Sequence, residues 1–174
     1  MIRLRDLLLL AIALAVLIAD QASKTWVIEN IPLNSTREII PNFEWFVLTN
    51  ITNAGAAFGL FPQASVLFTF VALIVSFVIV AYYRSLPNGQ WLVRFSLGLQ
   101  LGGAIGNLID RLRTGYVVDM FYFRFWPVFN VADSAIVCGV ALLMFHLWRD
   151  TPKEKTAQVP IDSPEKIEIT SGGQ

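Results

Sequence analysis

Four long apolar runs alternate with polar segments along the chain, and this pattern predicts four membrane-crossing helices. The first runs from about Leu7 to Ile28, behind Arg3 and Arg5. The second, about Val66 to Tyr83, carries no charge and closes at Arg84. The third, about Phe95 to Ile109, is expected to stop at Asp110 and Arg111. The fourth covers about Val131 to Trp148 before Arg149. Each approaches the ~20 residues needed to cross ~30 Å of hydrocarbon. A cleavable secretory signal is the rival reading of the first run. Its length, and the polar Asp20, Gln21 and Lys24 where small residues would mark a cleavage site, favour an uncleaved span.

The connections differ in character. SLPNGQ, between the second and third runs, has the Pro and Gly of a tight turn. Residues 29–62 are too many for a turn, and EIIPNFEWFVLTN is rich in β-branched and aromatic residues, so short strands lying on the membrane surface are expected there. Residues 151–174 are polar, mixed in charge and poor in aromatics, the composition of a disordered tail. The expected fold is therefore an all-α membrane protein with four transmembrane helices and short β-strands in the extracytoplasmic loop. Residues 1–150 form one domain and residues 151–174 a tail.

Composition agrees. The 174 residues are 55% hydrophobic and 15% charged, with mean hydropathy +0.59, whereas a soluble domain has about 25% charged residues. The formal net charge is zero, which leaves no basic field for nucleic acid. Positive charge gathers at one set of helix ends: Arg3, Arg5, Arg84, Arg94, Arg149, Lys153 and Lys155. The 29–62 connection, in contrast, sets Arg37 against Glu29, Glu38 and Glu44. This asymmetry predicts that both termini are cytoplasmic. Arg111, Arg113 and Arg124 run against the bias without reversing it. Trp26, Trp45, Trp91, Trp126 and Trp148 fall near span ends, as amphipathic rings at headgroup level do. The single Cys138 has no internal disulfide partner and reads as a small hydrophobe packed in an apolar run.

Against this background Asp119 in GYVVDMF and Asp133 in FNVADSAIV stand out. A carboxylate in the middle of a bilayer costs roughly 2.5–3.5 kcal/mol, so an ionisable residue in such a place is a functional-site hypothesis with a partner to be named. Two carboxylates brought close share a proton, leaving one as general base toward water and the other as general acid toward a carbonyl. Spacing alone leaves a structural alternative open, in which Asp119 ends a loop and Asp133 serves the first turn of a helix. His146 is the sole histidine and lies toward the other end of the fourth run, so a His-rich zinc site or a His-based triad cannot be assembled. Nothing marks Ser23 or Ser134 as a nucleophile activated by Lys24.

Other polar positions read as support. Asp20 and Lys24 are one helical turn apart and can pair, or Lys24 can meet a lipid phosphate or a substrate backbone. Asn107, Asp110 and Arg111 form a polar helix end suited to bracing the next loop. Asn53, two residues before Gly55, suits a turn, and Asn130, three before Asp133, suits an N-cap or a substrate contact. Gly98, Gly102 and Gly106 recur every fourth residue and let another helix approach closely.

The ordered blocks DQASK (20–24), TNAGAAF (52–58), GGAIGNLIDR (102–111), GYVVDMF (115–121) and FNVADS (129–134) together resemble the bacterial lipoprotein signal peptidases, also called signal peptidase II. The resemblance spans roughly residues 1–150. It implies a four-helix aspartyl endopeptidase that cleaves signal peptides from diacylglyceryl-modified prolipoproteins immediately before the lipidated cysteine. Asp119 and Asp133 are then the catalytic pair, with no metal or organic cofactor. Asp20, Lys24, Asn53, Asn107, Asp110, Arg111, Asn130 and Ala132 fall on motif positions and are implied to place the substrate or support the site. Met120 and Ala54 depart mildly from the commonest forms, where Phe and Thr are frequent, and neither touches a proton-transfer group.

The same resemblance implies modified prolipoproteins and membrane lipids as partners, no obligate protein partner, and the bacterial cytoplasmic (inner) membrane as location, with the site on the extracytoplasmic side. The segment 115–127, with Gly at its start and Pro near its end, is expected to form a movable cover. Two other classes fit the same spans and acids: a proton or ion channel lined by aspartates, and a subunit whose acids pair with a partner's arginines.

Overall fold

The computed structural model describes residues 4–41, 43, 45–55 and 64–150. The four predicted spans are helices: α1 (Leu4–Asn30), α2 (Ser65–Ser85), α3 (Trp91–Thr114) and α4 (Val131–Asp150). All four are long and apolar enough to cross a membrane. The expected strands are present as β1 (Thr36–Glu38) and β2 (Phe46–Asn53). A third, β3 (Val117–Phe123), joins them in an antiparallel sheet of order β1-β2-β3. Residues 56–62 of the loop and the whole tail 151–174 lie outside the described residues.

The helices are organised around α3. Its membrane window is 67% buried, against 11% for α2 and 17% for α4, so α3 is the bundle's axis and the others show their outer faces to lipid. Glycine makes this possible. A Cβ on Gly98 would sit 2.9 Å from Ile12 Cβ, and one on Gly102 would sit 2.7 Å from the Ala13 carbonyl oxygen, so α1 rests on the predicted glycine face. Gly103 and Gly139 do the same between α3 and α4, each lying against backbone of the facing helix. An apolar cluster of Leu9, Ile79, Tyr83, Val93, Leu97 and Leu101 fills the end of the bundle opposite the sheet. Cys138 is exposed on α4, so it faces the surroundings and does not pack inside as expected.

Contacts fix the helix directions. Residues 13 and 20 of α1 lie against residues 102 and 106 of α3, so these helices run parallel. Arg94 stacks on Tyr83 and Arg111 on Phe68, so α2 runs antiparallel to α3. Gly103 meets Ala132 and Gly139 meets Ser96, so α4 is antiparallel as well. The start of α1, the α2–α3 turn and the end of α4 therefore share one end of the bundle, and the sheet with the acidic residues occupies the other.

Two expectations are corrected. First, α3 does not stop at Asp110 and Arg111 but continues to Thr114. Neither residue breaks a helix, and basic side chains in a last turn suit the helix dipole. The helix ends where Gly115 adopts φ 83°, its N–H donating to the Arg111 carbonyl at 3.0 Å. Second, 115–127, expected as a movable cover, does not stand apart from the sheet. Its first half is β3, paired with β2 from Val117↔Asn53 to Phe123↔Phe46, and Val117, Val118, Asp119 and Met120 are all buried. Val118 and Met120 pack on Val27 of α1 and Ile31 just beyond its end, which leaves Asp119 to face the other way.

Candidate active site

The site is assembled where α4 begins. Asn130 caps this helix: its Oδ1 accepts the Asp133 N–H at 2.9 Å, and Asp133 Oδ2 accepts the Asn130 N–H at 3.3 Å, a reciprocal box. The next orphan donor, the Ala132 N–H, is taken by Asp20 Oδ1 at 3.0 Å. Capping and substrate contact were both open for Asn130, and capping is observed. Ala132 is fully buried, and its small side chain lies against the face of Gly106.

Beneath the cap lies a charged cluster. Lys24, 3% exposed, donates to Asp20 Oδ2 at 2.8 Å and to Asn107 Oδ1 at 3.0 Å, and its ammonium forms an ion pair with Asp110 Oδ2 at 2.6 Å. The ion-pair reading of Asp20 and Lys24 therefore holds, and the Lys24 ammonium is buried between two carboxylates. Gln21 donates to Asp110 Oδ1 at 2.9 Å and to Asp20 Oδ2 at 3.2 Å. Gly106 is required here, since a Cβ would lie 2.6 Å from Asp20 Oδ2. Gln21 was not singled out in the sequence, although its place beside Asp20 and three residues before Lys24 was the available signal.

Asn107 joins this cluster to the two candidate aspartates. Its Nδ2 donates to Asp133 Oδ1 at 2.8 Å, while its Oδ1 accepts from Lys24 and, at 3.2 Å, from Asn130 Nδ2. Asn130 Nδ2 also donates to Asp119 Oδ1 at 2.8 Å. Asn53 Nδ2 donates to the other oxygen, Asp119 Oδ2, at 3.0 Å, and Asn53 Oδ1 accepts the Gly55 N–H, the turn role expected for it. That contact depends on register: Ile51 opposes Asp119 and Asn53 opposes Val117, so Asn53 and Asp119 share a face of the sheet. A one-residue bulge between Leu48 and Ile51 sets this phase. It is anchored by Asn50, whose side chain donates to the Ile31 carbonyl at 2.8 Å, a residue the sequence reading passed over.

Asp119 and Asp133 are therefore brought to one place and linked by Asn107 and Asn130. Asp119 is 3% exposed, and burial raises its carboxyl to about 7. The amides of Asn53 and Asn130 and the charge of Lys24 oppose this rise, and the charge of Asp133 adds to it. Arg111 carries positive charge toward both aspartates and Asp110, with its guanidinium 5.4 Å from the Phe68 ring centre and one nitrogen 3.4 Å from the Asn107 carbonyl. No group of three metal-ligating side chains is gathered at a point among the described residues. Two carboxylates held by neutral amides, one near neutrality, are equipped to pass a proton to and from a reacting group at physiological pH.

Fold and site together define a class: a multi-span membrane protein with a paired-carboxylate centre suited to general acid–base chemistry at the end of its bundle. The comparisons make this particular. Residues 12–149 match the family model described as signal peptidase (SPase) II. The lipoprotein signal peptidase of Moorella thermoacetica is 50% identical over 138 residues, covering 79% of this chain and 91% of that protein. Those of Halothermothrix orenii and Streptococcus agalactiae are 45% and 39% identical, covering 79% and 84% of this chain and 93% and 96% of theirs. A solved bacterial membrane enzyme superposes with a TM-score of 0.78 at 30% identity, over 87% of this chain and 93% of that one. The chain belongs to the signal peptidase II family of membrane proteases.

Proposed function

We propose that the chain cleaves the signal peptides of diacylglyceryl-modified prolipoproteins immediately before the lipidated cysteine, using Asp119 and Asp133. The observation that carries this reading is the pair of carboxylates at the bundle end, oriented by Asn53, Asn107 and Asn130 and not neutralised by a direct cation. The acyl chains of such a substrate remain in the bilayer, so its scissile bond comes to the membrane boundary. The ends of the spans stand there.

The chemistry follows from two carboxyls sharing one proton. Asp133, ionised, takes a proton from a water as that water attacks the scissile carbonyl. Asp119 gives its proton to the carbonyl oxygen, producing a neutral tetrahedral diol. Asp133 then returns its proton to the peptide nitrogen and the C–N bond breaks. Asp119 recovers a proton from the diol hydroxyl, which restores the starting state. The raised Asp119 carboxyl supports its assignment as the initial acid. No metal or organic cofactor enters.

In this reading residues 1–150 form the peptidase domain, and the tail 151–174 is dispensable for the chemistry. The protein lies in the bacterial cytoplasmic membrane with both termini cytoplasmic and the site outside. Membrane lipids surround it, and no obligate protein partner is required. The basic ends Arg84, Arg94 and Arg149 support that orientation. The test is cleavage of a diacylglyceryl-modified prolipoprotein by detergent-purified protein, with a chelator present. Asp119→Asn and Asp133→Asn should each lower the rate by about a hundred- to ten-thousandfold, the range of an essential general acid or base, without loss of folded protein. Near-normal turnover by either variant would falsify the assignment.

A further inference from the structure

On the side of the sheet away from Asp119, the ends of α1 and α3 and the strand β2 enclose a cavity of about 520 Å³, within the ~300–1,000 Å³ range of small-ligand sites. Thr52 and Val118 line it and pair across β2 and β3, whereas Asn53 and Asp119 project from the opposite face of the same strands. The sheet thus separates this cavity from the carboxylate pair. Its inner end is polar and buried, lined by Lys24 and Asp110, whose charges are already matched to each other.

The outer rim is different. Arg113 and Glu29 both line the cavity and both are exposed, and neither has an ion pair or hydrogen bond among the described residues. One unpaired cation and one unpaired anion on the same rim are complementary to a ligand that carries both charges. Beside them Ile28 and Leu33, 56% and 57% exposed, supply an apolar lip. The cavity opens at the ends of two membrane-crossing helices, the level at which lipid headgroups lie. A purely anionic headgroup would satisfy Arg113 and be opposed by Glu29. A zwitterionic one satisfies both, with its glycerol and first methylenes on the lip.

We propose that this cavity is a binding site for a zwitterionic phospholipid, with the phosphate on Arg113 and the ammonium of an aminoethyl headgroup on Glu29. The site lies two hydrogen bonds behind the aspartates, since Lys24 at its inner end donates to Asn107, which donates to Asp133. The lipid is therefore bound next to the support of the catalytic pair and outside the cleft itself.

The test is native mass spectrometry of the full chain in micelles doped with phosphatidylethanolamine or phosphatidylglycerol, with free phosphoethanolamine as a competitor. Wild type should retain one phosphatidylethanolamine about tenfold more strongly than phosphatidylglycerol, the scale of one charge-assisted contact. Arg113→Gln should weaken retention of both lipids, and Glu29→Gln should erase the preference between them. Both variants should still cleave substrate in micelles without phosphatidylethanolamine, which shows that they are folded. Equal retention of the two lipids by wild type, or unchanged retention in both variants, overturns the proposal. Displacement of the lipid by equimolar phosphoethanolamine assigns the site to a soluble ligand and overturns it too. Loss of cleavage by both variants in lipid-free micelles does the same, by assigning the rim to the substrate's polar segment. The binding readout is independent of peptidase activity, so its failure is distinct from failure of the proposed reaction.

Discussion

Two groups of buried carboxylates lie side by side in this protein and are held in opposite ways. Asp20 and Asp110 share the ammonium of Lys24, whereas Asp119 and Asp133 are held by the amides of Asn53, Asn107 and Asn130 and the backbone N–H of Asn130. A cation fixes a carboxylate in its charged form. An amide donor positions a carboxylate while leaving its proton exchangeable, because the amide brings no net charge to be compensated. The first pair is thus architecture and the second is available for chemistry. Sequence spacing pairs Asp20 with Lys24 one turn away, but it does not show that Asp110 shares that ammonium or that amides hold Asp119 and Asp133.

The comparison breaks most visibly at Lys24. Lys24→Met leaves two buried carboxylates without their cation, and removing one partner of a buried ion pair costs about 3–5 kcal/mol. A large drop in thermal midpoint should result, measured on the detergent-solubilised protein, with partial recovery in Lys24→Met/Asp110→Asn. A midpoint unchanged by Lys24→Met would mean that the cluster is not structural. Gly106→Ala is milder. The added methyl falls on Asp20 Oδ2, and overpacking of this kind costs typically about 1–3 kcal/mol. Because Asp20 also holds the Ala132 N–H, the activity loss should exceed what the stability loss explains, whereas Gly89→Ala, strained by its φ of 90° at the far end of the bundle, should lower stability while leaving the position of the aspartates intact.

The smallest effect is set by pH and sharpens the contrast. With the Asp119 carboxyl raised to about 7, kcat/KM should fall roughly tenfold per pH unit above that value, as the acid loses its proton. A profile flat to pH 9 would place the proton elsewhere. Stability carries the same sign. The native carboxyl holds its proton between 3.8, its ordinary value, and about 7, a range in which the unfolded chain has lost it. Stability therefore falls as pH rises through this window, and Asp119→Asn should remove that part of the slope.

Much of the fold was legible because membrane spans are written in one dimension. Hydrocarbon tolerates no charge and requires about 20 apolar residues per crossing, so the runs near Leu7–Ile28, Val66–Tyr83 and Val131–Trp148 mark their helices to within a few residues. The third run misled at its end, because charge was read as a stop where Asp110 was compensated by Lys24 from another helix. The segment 115–127 was read from the Gly at its start and the Pro near its end, and the alternation of its middle was passed over. An aspartate between Val118 and Met120 interrupts no strand when alternate residues face opposite sides.

By itself, the sequence determined the number of spans, the glycine face on α3 and the positions of every acid in the site. Each depends on neighbours within a turn or two, or on the long apolar run a bilayer demands. The tertiary structure alone decided which acid meets which partner. That choice depends on the parallel course of α1 and α3, which sets Lys24 against Asp110, and on the one-residue bulge in β2, which turns Asn53 toward Asp119. Both are relations between segments 66 to 86 residues apart, and in the sheet a shift of one residue in register would turn Asn53 to the opposite face.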